Sequence, residues 1–169
     1  MSAGTTISVE EYLRTSYSPD REYRDGELVE RNVGKRSHSE LQAALAQYIR
    51  NRRKLWRVSV YTEMRIRARE GWYPIPDISI YALPAPEDEI PTTSPLLWIE
   101  ILSPDDRMTD VWDKAKNAIA CGAPNVWIID PHTLESELWT PAGVTRIADG
   151  TLRLPDSEIA IPLAAALEE

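Results

Sequence analysis

The apolar stretch Leu96-Leu97-Trp98-Ile99-Glu100-Ile101-Leu102 carries a single carboxylate. A glutamate among such neighbours is costly to bury unless it is protonated, paired or bound to a cation. A second acid, Asp77, stands between Pro76 and the alternating segment Ile78-Ser79-Ile80-Tyr81. Proline is tolerated at a strand start, and a carboxylate beside it can point into a cleft at the sheet edge. Two carboxylates on adjacent strands make a hard-oxygen site suited to Mg²⁺ or Mn²⁺, which keep waters and accept phosphate oxygens. Phosphodiester hydrolysis also needs a positioned water and a positive group to meet the charge that develops on phosphorus. The simplest form of such a site places a lysine two residues past the strand acid, but that place holds Leu102. The cations at hand are Lys114 and Lys116, on the helix expected after the strand.

Other chemistry-bearing residues are few. His38 falls at the start of a helix, where an imidazole can line a site as an acid–base group or serve as a cap. His132, in a turn after Pro131, reads as structural. Cys121 has no neighbours that would stabilise a thiolate. There is no glycine-rich phosphate loop and no cysteine–histidine zinc spacing.

The elements that must hold these residues can be read from the pattern. Ser8-Val9-Glu10-Glu11 forms a capping box that opens a short helix. Asp25-Gly26, between Glu22-Tyr23-Arg24 and Glu27-Leu28-Val29, signals a hairpin with a type I′ turn. Ser37-His38-Ser39-Glu40 reads as a second capping box, followed by Leu41, Leu45, Tyr48 and Ile49 at helical spacing. Strands are expected at 58–61, 64–66, 77–81 and 96–102, and a helix at 106–121 ending at Gly122. A buried strand follows at Val126-Trp127-Ile128-Ile129, stopped by Asp130-Pro131. More exposed strands are expected at 137–139 and 145–147, and a short helix at 159–167. A helix between two buried strands implies a right-handed crossover and a parallel pair. The fold class is therefore α/β (mixed α+β), a central mixed sheet flanked by helices. Pro84–Pro95, with four prolines, reads as an exposed loop.

Length and charge limit the alternatives. The 169 residues suit one domain spanning the chain, and 43% hydrophobic content is enough for a core. One cysteine excludes an intrachain disulfide. The first six residues lack the basic start and apolar run of a secretory leader, and no run approaches the roughly 20 apolar residues of a membrane helix. The expectation is a soluble cytoplasmic protein with no membrane partner. The net charge is −8, yet residues 1–69 carry a net +5 and residues 70–169 a net −13. A basic front half offers a face to phosphate, and clustered acids elsewhere can hold a cation.

Taken in order, several segments resemble one known family. They are Tyr23–Leu28, His38 at a helix start, Pro76-Asp77, Ile99-Glu100-Ile101-Leu102-Ser103-Pro104, Lys114, Gly122 and Val126–Pro131. The chain resembles the Uma2 (DUF820) family of restriction-endonuclease-like proteins, within the PD-(D/E)xK nuclease superfamily, from about residue 6 to residue 140. The resemblance implies a restriction-endonuclease-like core and Mg²⁺- or Mn²⁺-dependent cleavage of nucleic acid, with DNA as the expected substrate. It makes Asp77 the first metal-binding acid and Glu100 the second. The lysine of the site then sits on the helix, at Lys114 with Lys116 as the fallback. The Ile101 main-chain carbonyl becomes a further metal ligand, and Glu27 or Glu40 a third carboxylate. Arg50, Arg52, Arg53 and Lys54 are expected to hold the nucleic-acid backbone. Cutting a duplex takes two sites, so a homodimer is expected. Two other readings use the same residues: a non-catalytic binding module of this fold, and a hydrolase of small phosphoesters.

Overall fold

A computed structural model describes residues 6–169; residues 1–5, where the sequence shows no leader pattern, lie outside the described residues. Helix α1 (Val9–Arg14) begins at its expected cap, with Ser8 Oγ accepting the Glu11 N–H at 3.1 Å. The hairpin β1 (Arg21–Arg24) and β2 (Glu27–Glu30) turns at Asp25 and Gly26, with φ of 51° and 96°. Positive φ at both positions is what a type I′ turn requires.

Helix α2 (Arg36–Trp56) follows. Its core face presents Leu41, Leu45 and Ile49, all but fully buried. Strand β3 (Val58–Thr62), the short β4 (Trp72–Tyr73), β5 (Ile78–Ala82) and β6 (Leu97–Ile101) lead to helix α3 (Met108–Ala120). Beyond it come β7 (Val126–Ile129), β8 (Ser136–Thr140), β9 (Gly143–Ile147), β10 (Thr151–Arg153), β11 (Ala160–Pro162) and helix α4 (Leu163–Glu168).

Six strands form the main sheet, in the order β3-β5-β6-β7-β8-β9. Only β6 and β7 are parallel, joined through α3 as the helix between two buried strands implied. Alternation along β6 divides the core. Leu97, Ile99 and Ile101 face α2 with Ile78, Ile80 and Trp127. Trp98 lies on the opposite face with Ala115 and Ala118 of α3. A mixed sheet with a helix layer on each side is the expected architecture. A second sheet, β2-β1-β4, carries the hairpin, and β10-β11 makes a third.

The structure departs from expectation in several places; the short strands β4 and β10 were not expected. Helix α2 starts one residue before Ser37, with Lys35 as N-cap and no side-chain cap. The Ser37 hydroxyl is instead 3.2 Å from His132 Nε2, so the capping box is not used. Residues 64–66 form no strand, because their amides find scattered partners. Ile66 N–H bonds Pro74 O, while Arg67 N–H bonds Pro91 O. The expected tail helix divides at Pro162: residues 160–162 pair with β10, and helix begins only at Leu163. Proline lacks the amide that would continue a helix backwards through it.

Candidate active site

Pairing of β5 with β6 sets the geometry. Ile78 opposes Ile99, and continuing that register one step places Asp77 opposite Glu100. The two acids thus stand side by side where both strands meet a cleft of about 460 Å³. Along β6, Glu100 shares the face of Trp98 and looks toward α3, which supplies Lys114. The Lys114 ammonium lies 2.8 Å from Glu100 Oε1 and 2.6 Å from Glu22 Oε1. It also sits over the Trp98 ring, 5.6 Å from the centroid. The Trp98 indole N–H donates to the same Glu100 oxygen.

Asp77 is 6% exposed. Its Oδ2 accepts the Ile101 N–H at 2.8 Å and lies 3.2 Å from His38 Nε2. Its Oδ1 faces the Arg31 guanidinium at 3.4 Å. Glu22, on β1, is equally buried and accepts the Ile75 N–H at 3.0 Å.

These environments push the carboxyls in opposite directions. Burial raises Asp77, but the His38 hydrogen bond and charge, the Ile101 amide and Lys114 together hold it below the usual carboxylate range. Glu100 is pushed up to about 7: burial dominates, Lys114 opposes it, and the Asp77 and Glu22 charges add to it. His38 is drawn down by burial, yet the Asp77 hydrogen bond and charge leave it raised overall. Lys114 is likewise raised, since Glu100 and Glu22 outweigh the cost of its burial. The two acids of one cleft thus differ in proton affinity.

The donor set suits a hard divalent cation. Asp77 and Glu100 offer oxygen only, and the cleft lining holds eight Asp and Glu against four Arg and Lys. Among the described residues, no three of His, Cys, Asp and Glu converge into a closed cage. Two carboxylates with the rest of the shell left to water is how Mg²⁺ is commonly held.

Of the residues singled out from the sequence, the structure brings together Asp77, Glu100, Ile101, Lys114 and His38. It does not bring Glu27, Glu40 or Lys116 to the cleft. Glu27 and Lys116 are exposed, and Glu40 is exposed with Arg36 as its ion-pair partner at 3.9 Å. Arg50, Arg53 and Lys54 are exposed at the far end of α2. At 1.5 Å rise per residue they lie roughly 18–24 Å along the helix from His38. Arg52 there stacks on Tyr48 and pairs with Glu169 at 2.8 Å. The sequence reading missed Glu22 and Arg31. Nothing local distinguishes Glu22 from Glu27, since both look like charges on a short hairpin; only docking of β1 against β4 and α3 buries one of them.

A mixed sheet between helices, with paired strand acids and a lysine at one end, defines a restriction-endonuclease-like core. The chain belongs to the Uma2 family, described as "Putative restriction endonuclease", whose model matches residues 9–164. Its fold is that of a solved DUF820 protein from Anabaena variabilis ATCC 29413, titled a "putative nuclease". That structure is 24% identical, with a TM-score of 0.81, covering 96% of this chain and 98% of the other. A weaker likeness, to a DrdV–DNA complex solved by cryo-electron microscopy, has 18% identity and a TM-score of 0.47. It covers 79% of this chain and 11% of that one, and carries no argument. No curated protein sequence matches the chain. Among the described residues, no helix is long and apolar enough to cross a membrane.

Proposed function

We propose that this protein is a Mg²⁺- or Mn²⁺-dependent endonuclease that hydrolyses phosphodiester bonds in nucleic acid, DNA foremost. The observation that carries the reading is that Asp77 and Glu100 line one cleft, with the Lys114 ammonium 2.8 Å from Glu100. When bound, the divalent cation would make a nucleophile of water and neutralise charge on the phosphate. Asp77 and Glu100, with the Ile101 carbonyl, would hold it. Glu22 pairs with Lys114 at 2.6 Å, so the lysine charge is held in place before substrate arrives. Arg24, Arg31 and Arg107 line the same cleft and are the better candidates for phosphate contacts than the basic end of α2. A homodimer would supply the two sites that duplex cleavage requires.

The test is cleavage of plasmid, linear duplex, single-stranded DNA and RNA with Mg²⁺ or Mn²⁺. Cleavage is expected from the wild type and lost in D77A and E100A, with both variants still folded by circular dichroism. Undiminished cleavage by D77A would sink the assignment. A second reading, a non-catalytic binding module of the same fold, is favoured by the excess of acids in the cleft, which repels a phosphate backbone. Binding of nucleic acid or a protein partner without cleavage of any substrate would select it.

A further inference from the structure

We propose that Gly34 and His38 form a positioning device for Asp77, fixing which carboxylate oxygen is presented to the cleft. The inference rests on the reading of Asp77 and Glu100 as a divalent-cation site. His38, in the first turn of α2, is 5% exposed. Its Nε2 and the Ile101 N–H both address Asp77 Oδ2, at 3.2 and 2.8 Å. Two donors on one oxygen set the carboxyl plane and leave Oδ1 toward the cleft, with Arg31 at 3.4 Å.

The ring itself is held from one side only by hydrogen bonding. His38 Nδ1 is buried and has no hydrogen-bond partner. The ring occupies the space that a side chain at position 34 would need. A Cβ built there would stand 2.6 Å from Nδ1, 3.0 Å from Cγ and 3.2 Å from Cε1. Gly34 is not among the positive-φ glycines, so its backbone accepts an ordinary residue. The requirement for glycine at this place is therefore one of space, and the space is taken by the imidazole. An alanine at position 34 crowds the ring against Asp77 without altering a single charge, so the ring or the segment that carries residue 34 has to shift. Partners that orient a ligating carboxylate commonly govern metal affinity by 10–100-fold.

The experiment is Mn²⁺ binding, followed by the electron paramagnetic resonance signal of free Mn²⁺. Wild type, G34A, H38L, H38Q and D77N are compared, with thermal unfolding in chelator run in parallel. G34A and H38L are expected to bind Mn²⁺ 10–100-fold more weakly. H38Q, whose amide can still donate to Oδ2, should recover most of that loss. D77N should abolish binding. Should G34A and H38L bind as tightly as wild type, the positioning role is overturned and the metal site stands. Weaker binding that H38Q leaves unrepaired, matched by an equal fall in melting temperature, also overturns it in favour of packing alone. A wild type that binds no Mn²⁺ overturns the metal reading and this inference together.

Discussion

Lys114 stands between two carboxylates on different elements, and neither has another cation as near. Removing it takes the nearest cation from buried Glu22, leaving Arg31 at 4.0 Å, and pushes Glu100 further toward its neutral form; breaking a buried pair commonly costs about 3–5 kcal/mol. K114M is therefore expected to lower stability by that order in neutral buffer, measured by urea denaturation. Adding E22Q and E100Q should return much of the loss, because the burden lies in the stranded carboxylates. A K114M variant as stable as wild type would mean that they are solvated without it. Glu100 gives a pH dependence with a definite sign. Its folded pKa, raised mainly by burial to about 7, exceeds the ordinary value of 4.5. The contribution of the neutral form is thus fully present below about pH 4.5 and is lost as pH rises through about 7. In chelator, the melting temperature of E100Q relative to wild type should climb between about pH 5 and pH 8. Parallel curves would contradict the raised pKa. Asp77 and Glu100 stood out in the sequence because each borders or interrupts an apolar pattern, and Lys114 through the family resemblance; the structure brings the three to one cleft. Glu22 and Arg31 did not stand out, since each becomes part of the cleft only through contacts between elements distant in the chain.

The elements follow the same division. Strands β5, β6 and β7 and helix α3 announce themselves through buried alternation and a closing glycine; Gly122, at φ 100°, takes the place at the helix end that its sequence position suggests. Residues 64–66 misled because Met64 and Ile66 alternate with Arg65 as a strand would, yet Ile66 is buried in the core with Trp72 and Trp98 without pairing into a sheet. The α2 capping box misled because local sequence cannot reveal that His132 competes for the Ser37 hydroxyl. Helix α2 is the element whose packing the site most depends on, since it carries His38 at one end. Leu45, in its middle and fully buried against the sheet, should cost about 2–5 kcal/mol when cut to alanine. Chemical denaturation measures the loss. If His38 is held by α2 as a rigid rod, L45A should weaken stability while leaving Mn²⁺ affinity near wild type at temperatures where the variant is folded.

At the scale of the molecule, the ion bridge from Glu22 to Lys114 joins residues 92 apart in sequence. Glu22 belongs to the three-stranded sheet, whereas Lys114 lies on the helix that covers the six-stranded one. Residues distant in sequence therefore have to meet before the cleft exists, and the contact between these two layers is also where it can come apart. Partial opening that lifts the hairpin would release Lys114 and dissolve the arrangement while the larger sheet stays intact. Amide hydrogens of β1 and β2 then become reporters on the site. Their exchange with deuterium should slow when Mn²⁺ is added and quicken in E22Q, with the amides of β6 and β7 little changed in either case. A uniform response across both sheets would mean that the hairpin opens only when everything does.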